Sequence, residues 1–352
     1  MKKGSILYFY VGDSPFVNKD IEILSGEYKT KSFNFQFSQK WKTPFQIIQQ
    51  CIFLFYHIFS AKAIVCQLAG YHSFLPVVFG RIFGKPSLII AAGTDCQSFP
   101  SIGYGNFQKK ILKYFTKSSF QLCSHISPKH ESLIHCVYNY DDSDFPEQGL
   151  KYFIQNFKKK FTVINNGYDP HLFKNISIKK TNHFVTVSGN LSAAYQQKLK
   201  GIDLIIKLAP KFPNCTFTII GVTETSIFKN LSTNINLLPP VNNADLIHYY
   251  SEAQYYLQLS MAEGFPNALC EAMLCECIPV GSNVFSIPEI IGDTGYILNK
   301  RNDAELEMLI SNVIQSKNYE LGLKARERIK SNYTIDKRKK QLLDLLTQLI
   351  SE

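Results

Sequence analysis

Of 352 residues only one is tryptophan and four are methionine, and no stretch repeats at a fixed period. The absence of repeats and of low-complexity tracts excludes solenoid arrays and extended disorder. No apolar run reaches the roughly 20 residues that a membrane-spanning helix needs. Residues 45–59 come nearest, rich in Phe and Ile, but Gln46, Gln49, Gln50 and His57 interrupt them. The nine cysteines are odd in number and lack paired spacing. Cys270, Cys275 and Cys277 cluster, yet no second group of Cys or His stands at ligand spacing, so no metal site is expected. Reduced thiols in a cytoplasmic protein are the expected state. The opening Met-Lys-Lys-Gly and its short apolar run lack a small-residue cleavage site, and they read as the first buried strand.

What is present is the composition of a globular chain, 45% hydrophobic and 19% charged, long enough for two domains. The net charge of +10 is unevenly shared. Residues 1–180 hold 22 Lys and Arg against 11 Asp and Glu, a net of +11, and the remainder is near neutral. A basic surface of this kind attracts anions, whether phosphorylated lipids, nucleic acid or an acidic membrane leaflet. Residues 45–59 read as a helix, either docked on a core or laid with its apolar face on a bilayer beside Lys40 and Lys42.

Apolar runs of strand length alternate with helical patterns. Residues 6–11, 63–67, 87–91, 120–123 and 161–164 read as buried strands, with amphipathic stretches at 73–83 and 106–116. The rhythm restarts at 183–188, 216–220, 236–238, 255–259 and 278–281, with helices near 199–208, 244–251 and 267–275. Such alternation implies parallel, doubly wound sheets. The turn-rich Asn165-Asn166-Gly167-Tyr168-Asp169-Pro170 and the polar stretch 174–182 separate the two sets. The expected domains are 1–175 and 182–332, with 333–352 a closing helix that returns toward the first. Two Rossmann-like domains would face each other across a cleft at the carboxyl ends of their strands, where open α/β sheets bind ligands.

The chemistry concentrates between Leu257 and Met273. A strand ends at Leu259, a tight connection with Gly264 and Pro266 follows, and then a helix begins, with Pro266 suited to its first turn. The amides of Phe265, Pro266's neighbour Asn267, Ala268 and Leu269 border a helix N-terminus, which favours phosphate oxygens. Glu263 precedes that helix and Glu271 sits about one turn inside it. Carboxylates accept hydrogen bonds, and so suit the vicinal hydroxyls of a ribose or hexose. The competing reading is that both glutamates only favour the helix dipole.

This run resembles the Glu-x7-Glu signature of retaining glycosyltransferases of family 4, which have the two-Rossmann GT-B architecture. Asn166-Gly167-Tyr168-Asp169 with Phe173 is similar to the family's interdomain segment. Val187-Ser188-Gly189 followed by Lys200-Gly201 is similar to the turns that meet the donor diphosphate. Ile219-Ile220-Gly221, Ile287-Pro288-Glu289-Ile290 with Gly295, and Gly93-Thr94-Asp95 extend the likeness. The resemblance implies that Lys200 neutralises the diphosphate, Glu271 holds the ribose hydroxyls and Glu263 contacts the transferred sugar. Gly189, Asn190 and residues Gly264 to Leu269 would complete the donor site, with Gly12, His72 and Asp95 toward the acceptor. His72 is also a candidate catalytic residue. No metal or cofactor is implied. The partners that the resemblance implies are a nucleotide-diphosphate sugar and a glycan or lipid-linked glycan acceptor, in the synthesis of a surface polysaccharide. Together with the basic first half, it adds the expectation of an anionic membrane surface at the inner face.

The chain departs from the family pattern in places. Asn190 stands where an arginine is common, with Lys198 a substitute. Ala92 replaces a histidine, Glu276 a helix-ending glycine, and Phe285-Ser286 a Gly-Gly. Alternatives are a nucleotide-sugar epimerase of the same fold, a basic nucleic-acid-binding protein, and a catalytically inactive, partner-binding relative. Dispersed lysines without a binding motif argue against nucleic acid.

Overall fold

A computed structural model describes residues 2–36, 41 and 43–352. Lys40 and Lys42 lie outside the described residues. The chain divides into two compact units, one of residues 1–137, 147–166 and 336–352, the other of 138–146 and 167–335. The second unit thus takes in 138–146, a piece of the stretch that the sequence assigns to the first domain.

The first unit runs β1 (Ser5–Tyr10), α1 (Pro15–Glu27), β2 (Lys29–Asn34), α2 (Thr43–His57), β3 (Ala61–Gln67), α3 (Tyr71–Ile82), β4 (Ser87–Ala91), α4 (Lys110–Leu122) and β5 (His125–Pro128). A short hairpin, β6 (Cys136–Val137) with β7 (Glu147–Gln148), and α5 (Leu150–Phe153) follow. The sheet order is β2-β1-β3-β4-β5, with every pair parallel. All six residues of β1 are buried, as expected of a strand covered on both faces. Strand β2 is a sheet edge that carries Lys29 and Lys31, which suits an edge and hides it from a search for apolar runs. Helices α2, α3 and α4 lie side by side, α3 packing on both of its neighbours.

Two expected strands are corrected. Residues 120–123 are the end of α4 and its cap: Thr116, Ser119 and Phe120 are buried at helical spacing. The strand there is β5, whose His-Ile-Ser-Pro has no apolar run to betray it. Residues 161–164 do run parallel beside β5, with the Thr162 amide donating to the Ile126 carbonyl and the Ile164 amide to the Pro128 carbonyl at 3.0–3.1 Å. Pro128 has no N–H to return, and the regular pairing is limited to the Phe161–Ile126 bridge.

The second unit runs β8 (Lys180–Leu191), α6 (Ala194–Lys200), α7 (Ile202–Leu208), β9 (Thr216–Val222), β10 (Ile235–Leu238), α8 (Asn243–Glu252), β11 (Ala253–Gln258), α9 (Asn267–Leu274), β12 (Ile278–Ser282), α10 (Ile287–Ile291), β13 (Tyr296–Leu298), α11 (Asp303–Ser316) and α12 (Glu320–Asn332). Its order is β10-β9-β8-β11-β12-β13, again parallel. The added segment is held by the Arg301 amide, which donates to the Tyr140 carbonyl at 2.7 Å. The Arg301 guanidinium pairs with Asp203, and Asp141 lies 3.8 Å away.

Helix α13 (Ile335–Ser351) closes the chain, and its residues from 336 belong to the first unit. Leu342, Leu345, Leu346 and Leu349 are its buried stripe. Arg338 is 4% exposed and reaches the fully buried Asp20 of α1 through a forked contact at 2.7–2.9 Å. Its remaining donors go to the carbonyls of Ile164 and Asn165. A buried carboxylate stripped of its partner is costly. Arg338→Met is therefore expected to lower unfolding free energy by about 3–5 kcal/mol, read from denaturant midpoints. Arg338→Lys should recover only part of that loss, since a lysine cannot span both oxygens.

Candidate functional site

The second unit builds its site where β8, β9 and β11 end. Gly221 takes φ +105, and a Cβ there would lie 1.8 Å from the Ser188 carbonyl oxygen. This close approach accompanies an irregular register between Val187 and Leu191, where Gly189 and Asn190 are exposed. Asn190 Oδ1 accepts a hydrogen bond from Thr223 Oγ1 at 2.6 Å, which ties the two strand ends together. Burial pushes the Asp141 carboxyl up, but hydrogen bonds from Ser143, and after them the charges of Lys198 and Arg301, hold it below its ordinary range.

Lys200 ends α6, and Gly201 follows at φ +68 with its backbone against the end of β11. A Cβ on Gly201 would lie 2.1 Å from the Leu259 carbonyl oxygen, so no larger residue fits. The Met261 amide donates to the Leu199 carbonyl at 2.8 Å and fixes the crossing. Lys200 Nζ then donates to Glu263 Oε1 at 2.6 Å. The same oxygen accepts from Ser260 Oγ at 2.9 Å and Gln258 Nε2 at 3.2 Å. Ser260 is held in turn, its carbonyl accepting from Ser282 Oγ at 2.6 Å. Both ionic side chains stay reachable, Lys200 at 29% exposure and Glu263 at 13%. The two residues form one ion pair, where the sequence reading gave them separate partners.

Helix α9 starts at Asn267, so Pro266 is its cap and not a residue of its first turn. The Pro266 carbonyl accepts from the Cys270 amide, and no acidic side chain occupies the first turn. The first amides of a helix have no acceptor within it, and they give this end a positive character. Tyr168 Oη donates to Asn267 Oδ1 at 2.8 Å, which fixes the head of the helix. Gly264, Phe265 and Leu269 are buried, and Ala268 is half-buried. Glu271 is 6% exposed, one turn further in. Burial pushes the Tyr250 and Tyr256 phenols well up, and the charge of Glu271 adds to both.

Glu276, at the glycine position of the family helix, adopts φ +64, and Phe285 adopts φ +47. Both keep the left-handed backbone that a glycine would take at no steric cost.

In the first unit the carboxyl edge is built from buried groups. Gly12 is an exposed turn whose amide donates to Asn34 Oδ1 at 3.0 Å. Asp95 is wholly buried, and its carboxylate accepts from the amides of Ala69, Ala92 and Gly93 at 3.0–3.1 Å. Burial pushes its pKa up against those donors. His72 is 3% exposed, and its Nε2 donates to the Gln67 carbonyl at 2.7 Å. Burial lowers its pKa to about 4, so the ring is neutral at physiological pH.

The residue that sequence reasoning passed over is Lys129, directly after β5. It is 2% exposed, with Nζ 3.7 Å from the centre of the Phe16 ring. Burial lowers its pKa to about 7, the Arg338 charge pushes the same way, and Asp20 and Asp95 oppose. A lysine immediately behind a short strand was its one signal in the sequence, since strand ends carry ligands in this class of sheet.

Residues 170–334 match the family model of the glycosyl transferases, group 1. That stretch nearly coincides with the second unit. The capsular polysaccharide biosynthesis glycosyltransferase CapH of Staphylococcus aureus is 31% identical over 145 residues, 38% of this chain and 39% of that protein. The chain spans less than half the length of the curated relatives it matches. Among solved structures, sucrose-phosphate synthase from Thermosynechococcus elongatus is 12% identical with a TM-score of 0.76, covering 99% of this chain and 100% of its own. HepE from Anabaena, solved with UDP and glucose, is 15% identical with a TM-score of 0.69, covering 98% and 100%. Such likenesses show the fold: an α/β protein of two parallel sheets, in the GT-B class.

Two outcomes test this geometry. Gly201→Ala is expected to cost about 2–4 kcal/mol in a denaturant titration, because the opposing atom is backbone and cannot swing aside. Lys129 gives a pH signature. Below about pH 7 its amine is charged in both states, and between that pH and about 10.5 only the unfolded chain keeps the proton. Wild-type stability relative to Lys129→Met should therefore rise with pH across that window, by at most about 1.4 kcal/mol per unit. A flat difference from pH 7 to 10 contradicts the assignment.

Proposed function

We propose that the chain is a retaining, metal-independent glycosyltransferase of family 4 that moves a hexose-type sugar from a nucleotide-diphosphate donor to a glycan or lipid-linked glycan. The observation that carries the proposal is the Lys200–Glu263 pair, reachable and fixed beside the N-terminus of α9. The match of 170–334 to a glycosyl transferase family and the UDP and glucose held by the HepE structure support the same reading. A relative in capsular polysaccharide biosynthesis supports a surface glycan as the product, and the net charge of +11 over residues 1–180 supports its assembly at the inner membrane face.

In this mechanism the bond from the anomeric carbon to the diphosphate breaks, and the acceptor oxygen bonds to that carbon on the same face. The acceptor proton passes to an oxygen of the departing phosphate. Lys200 and the first amides of α9 stabilise the charge that develops on the diphosphate, a contribution that is large when the donors are held in advance. Glu263 supports the positive charge building on the sugar, and Ser260 and Gln258 keep it oriented. Glu271 takes the ribose hydroxyls. His72 and Asp95 shape the loops behind β3 and β4 through their backbone bonds, and Asn190 joins β8 to β9 without adding a charge.

The test uses purified protein and a set of nucleoside diphosphates and their sugars. A donor that binds only the folded chain raises its melting temperature, by the equivalent of about 2.7 kcal/mol at a hundredfold excess over Kd. With a competent donor, Glu263→Gln and Glu271→Gln should each lower kcat/KM by about 100-fold or more at unchanged melting temperature. Turnover that survives both changes removes the site assignment.

A further inference from the structure

Helix α2 is turned inside out relative to an ordinary surface helix. Its buried positions are Gln50 and Leu54, and Gln50 donates to the His72 carbonyl at 2.7 Å. Its outward stripe is Phe45, Ile48, Ile52, Phe55 and Tyr56, with Phe59 beyond its end, each between 57% and 81% exposed. These positions recur every three or four residues, so they share one face. Trp41, the one tryptophan of the chain, stands just ahead of them at 68% exposure. Ring contacts of Phe55 with Phe79 at 4.8 Å and Phe59 with Phe83 at 5.3 Å bind the stripe to α3, whose Ile82 is 67% exposed. A contiguous apolar face of this extent marks an interaction site.

The partner is indicated by what adjoins the face. Directly past Ile82 and Phe83, the end of α3 opens into a pocket of about 570 Å³. Arg81, Lys85, Lys158, Lys159 and Lys160 line it, and Glu352 is its single acidic residue. Lys159 donates to the Cys123 carbonyl. Among the described residues, no ion pair engages Arg81, Lys85, Lys158 or Lys160. The aromatic face and the cationic pocket are thus continuous within the first unit. A second copy would bring two such cation clusters together, which like-charge repulsion opposes. An acidic bilayer satisfies both halves, with acyl chains for the stripe and lipid phosphates for the pocket.

We propose that the α2 stripe and the pocket behind α3 form a docking surface for an anionic membrane, with Trp41 and the stripe seated at the level of the headgroups. This deepens the membrane-face reading above and rests on it only for the choice of leaflet. No helix among the described residues is long and apolar enough to cross a membrane, so the contact is interfacial.

The single tryptophan makes the test direct. The full chain is mixed with phosphatidylcholine vesicles, with and without phosphatidylglycerol, and followed by flotation and by tryptophan emission. Co-flotation only with phosphatidylglycerol, weakened by salt and accompanied by a blue shift, is expected. The exposed-site triple Phe45→Ser, Ile52→Ser, Tyr56→Ser should abolish flotation. The triple Arg81→Gln, Lys85→Gln, Lys160→Gln should weaken it roughly 100-fold, at about 1 kcal/mol for each charge near the surface. The proposal is overturned by absence of flotation, by flotation that the serine triple leaves intact, or by self-association that the serine triple abolishes. Binding to duplex DNA that the glutamine triple abolishes, without vesicle binding, overturns it as well. Slow hydrolysis of the donor in solution reports the transferase reading separately: its loss with docking intact sinks that reading alone.

Discussion

The second unit depends on the close passage of Gly201 against the Leu259 carbonyl. Without a Cβ at that position the chain can turn out of α6 and lie on the end of β11, which brings Lys200 to Glu263. Neither residue is sequence-adjacent to the other, and neither would be oriented by its own element alone. Ser260 and Gln258 complete the arrangement from the strand end itself, so the carboxylate is positioned from three directions before any ligand arrives. That prior fixing is what makes an electrostatic site effective, since no reorganisation is left to the moment of reaction.

The first unit solves a different problem at its own carboxyl edge. Asp20, Arg338, Asp95 and Lys129 are all buried there, and each carboxylate has its acceptors filled by a guanidinium or by backbone amides. Lys129 is the exception: its charge sits over an aromatic ring and not on a carboxylate, and burial lowers its proton affinity. The same unit places its uncovered apolar and cationic residues on the α2 and α3 side. Buried charge at one place and exposed aromatic surface at another are both departures from the usual distribution, which is why each calls for a functional or structural reason.

Much of this was legible in the chain. The βαβ rhythm, the break near Asn165, the closing helix and the loop carrying Glu263 all follow from apolar periodicity and turn residues. Strand β2 was not, because an edge strand with two lysines has no apolar run. Nor was β5, four residues with a histidine and a proline, whose place the end of α4 took instead. Asn190 and Glu276 stood out as departures from a family pattern. Their geometry shows a side chain bonded to Thr223 in one case and a glycine-like backbone in the other.

Sequence alone determined the class of fold, the number of strand sets and the places where carboxylates, lysines and glycines follow strand ends, because these depend on local pattern and composition. Only the tertiary structure decided that Lys200 belongs to Glu263, that Arg338 closes on Asp20 across 318 residues, and that the Asp95 carboxylate and the His72 Nε2 meet backbone groups. It also decided which face of α2 is left bare. Pairing and burial arise from which distant backbones pass within contact of one another, and periodicity along one chain carries no measure of that distance.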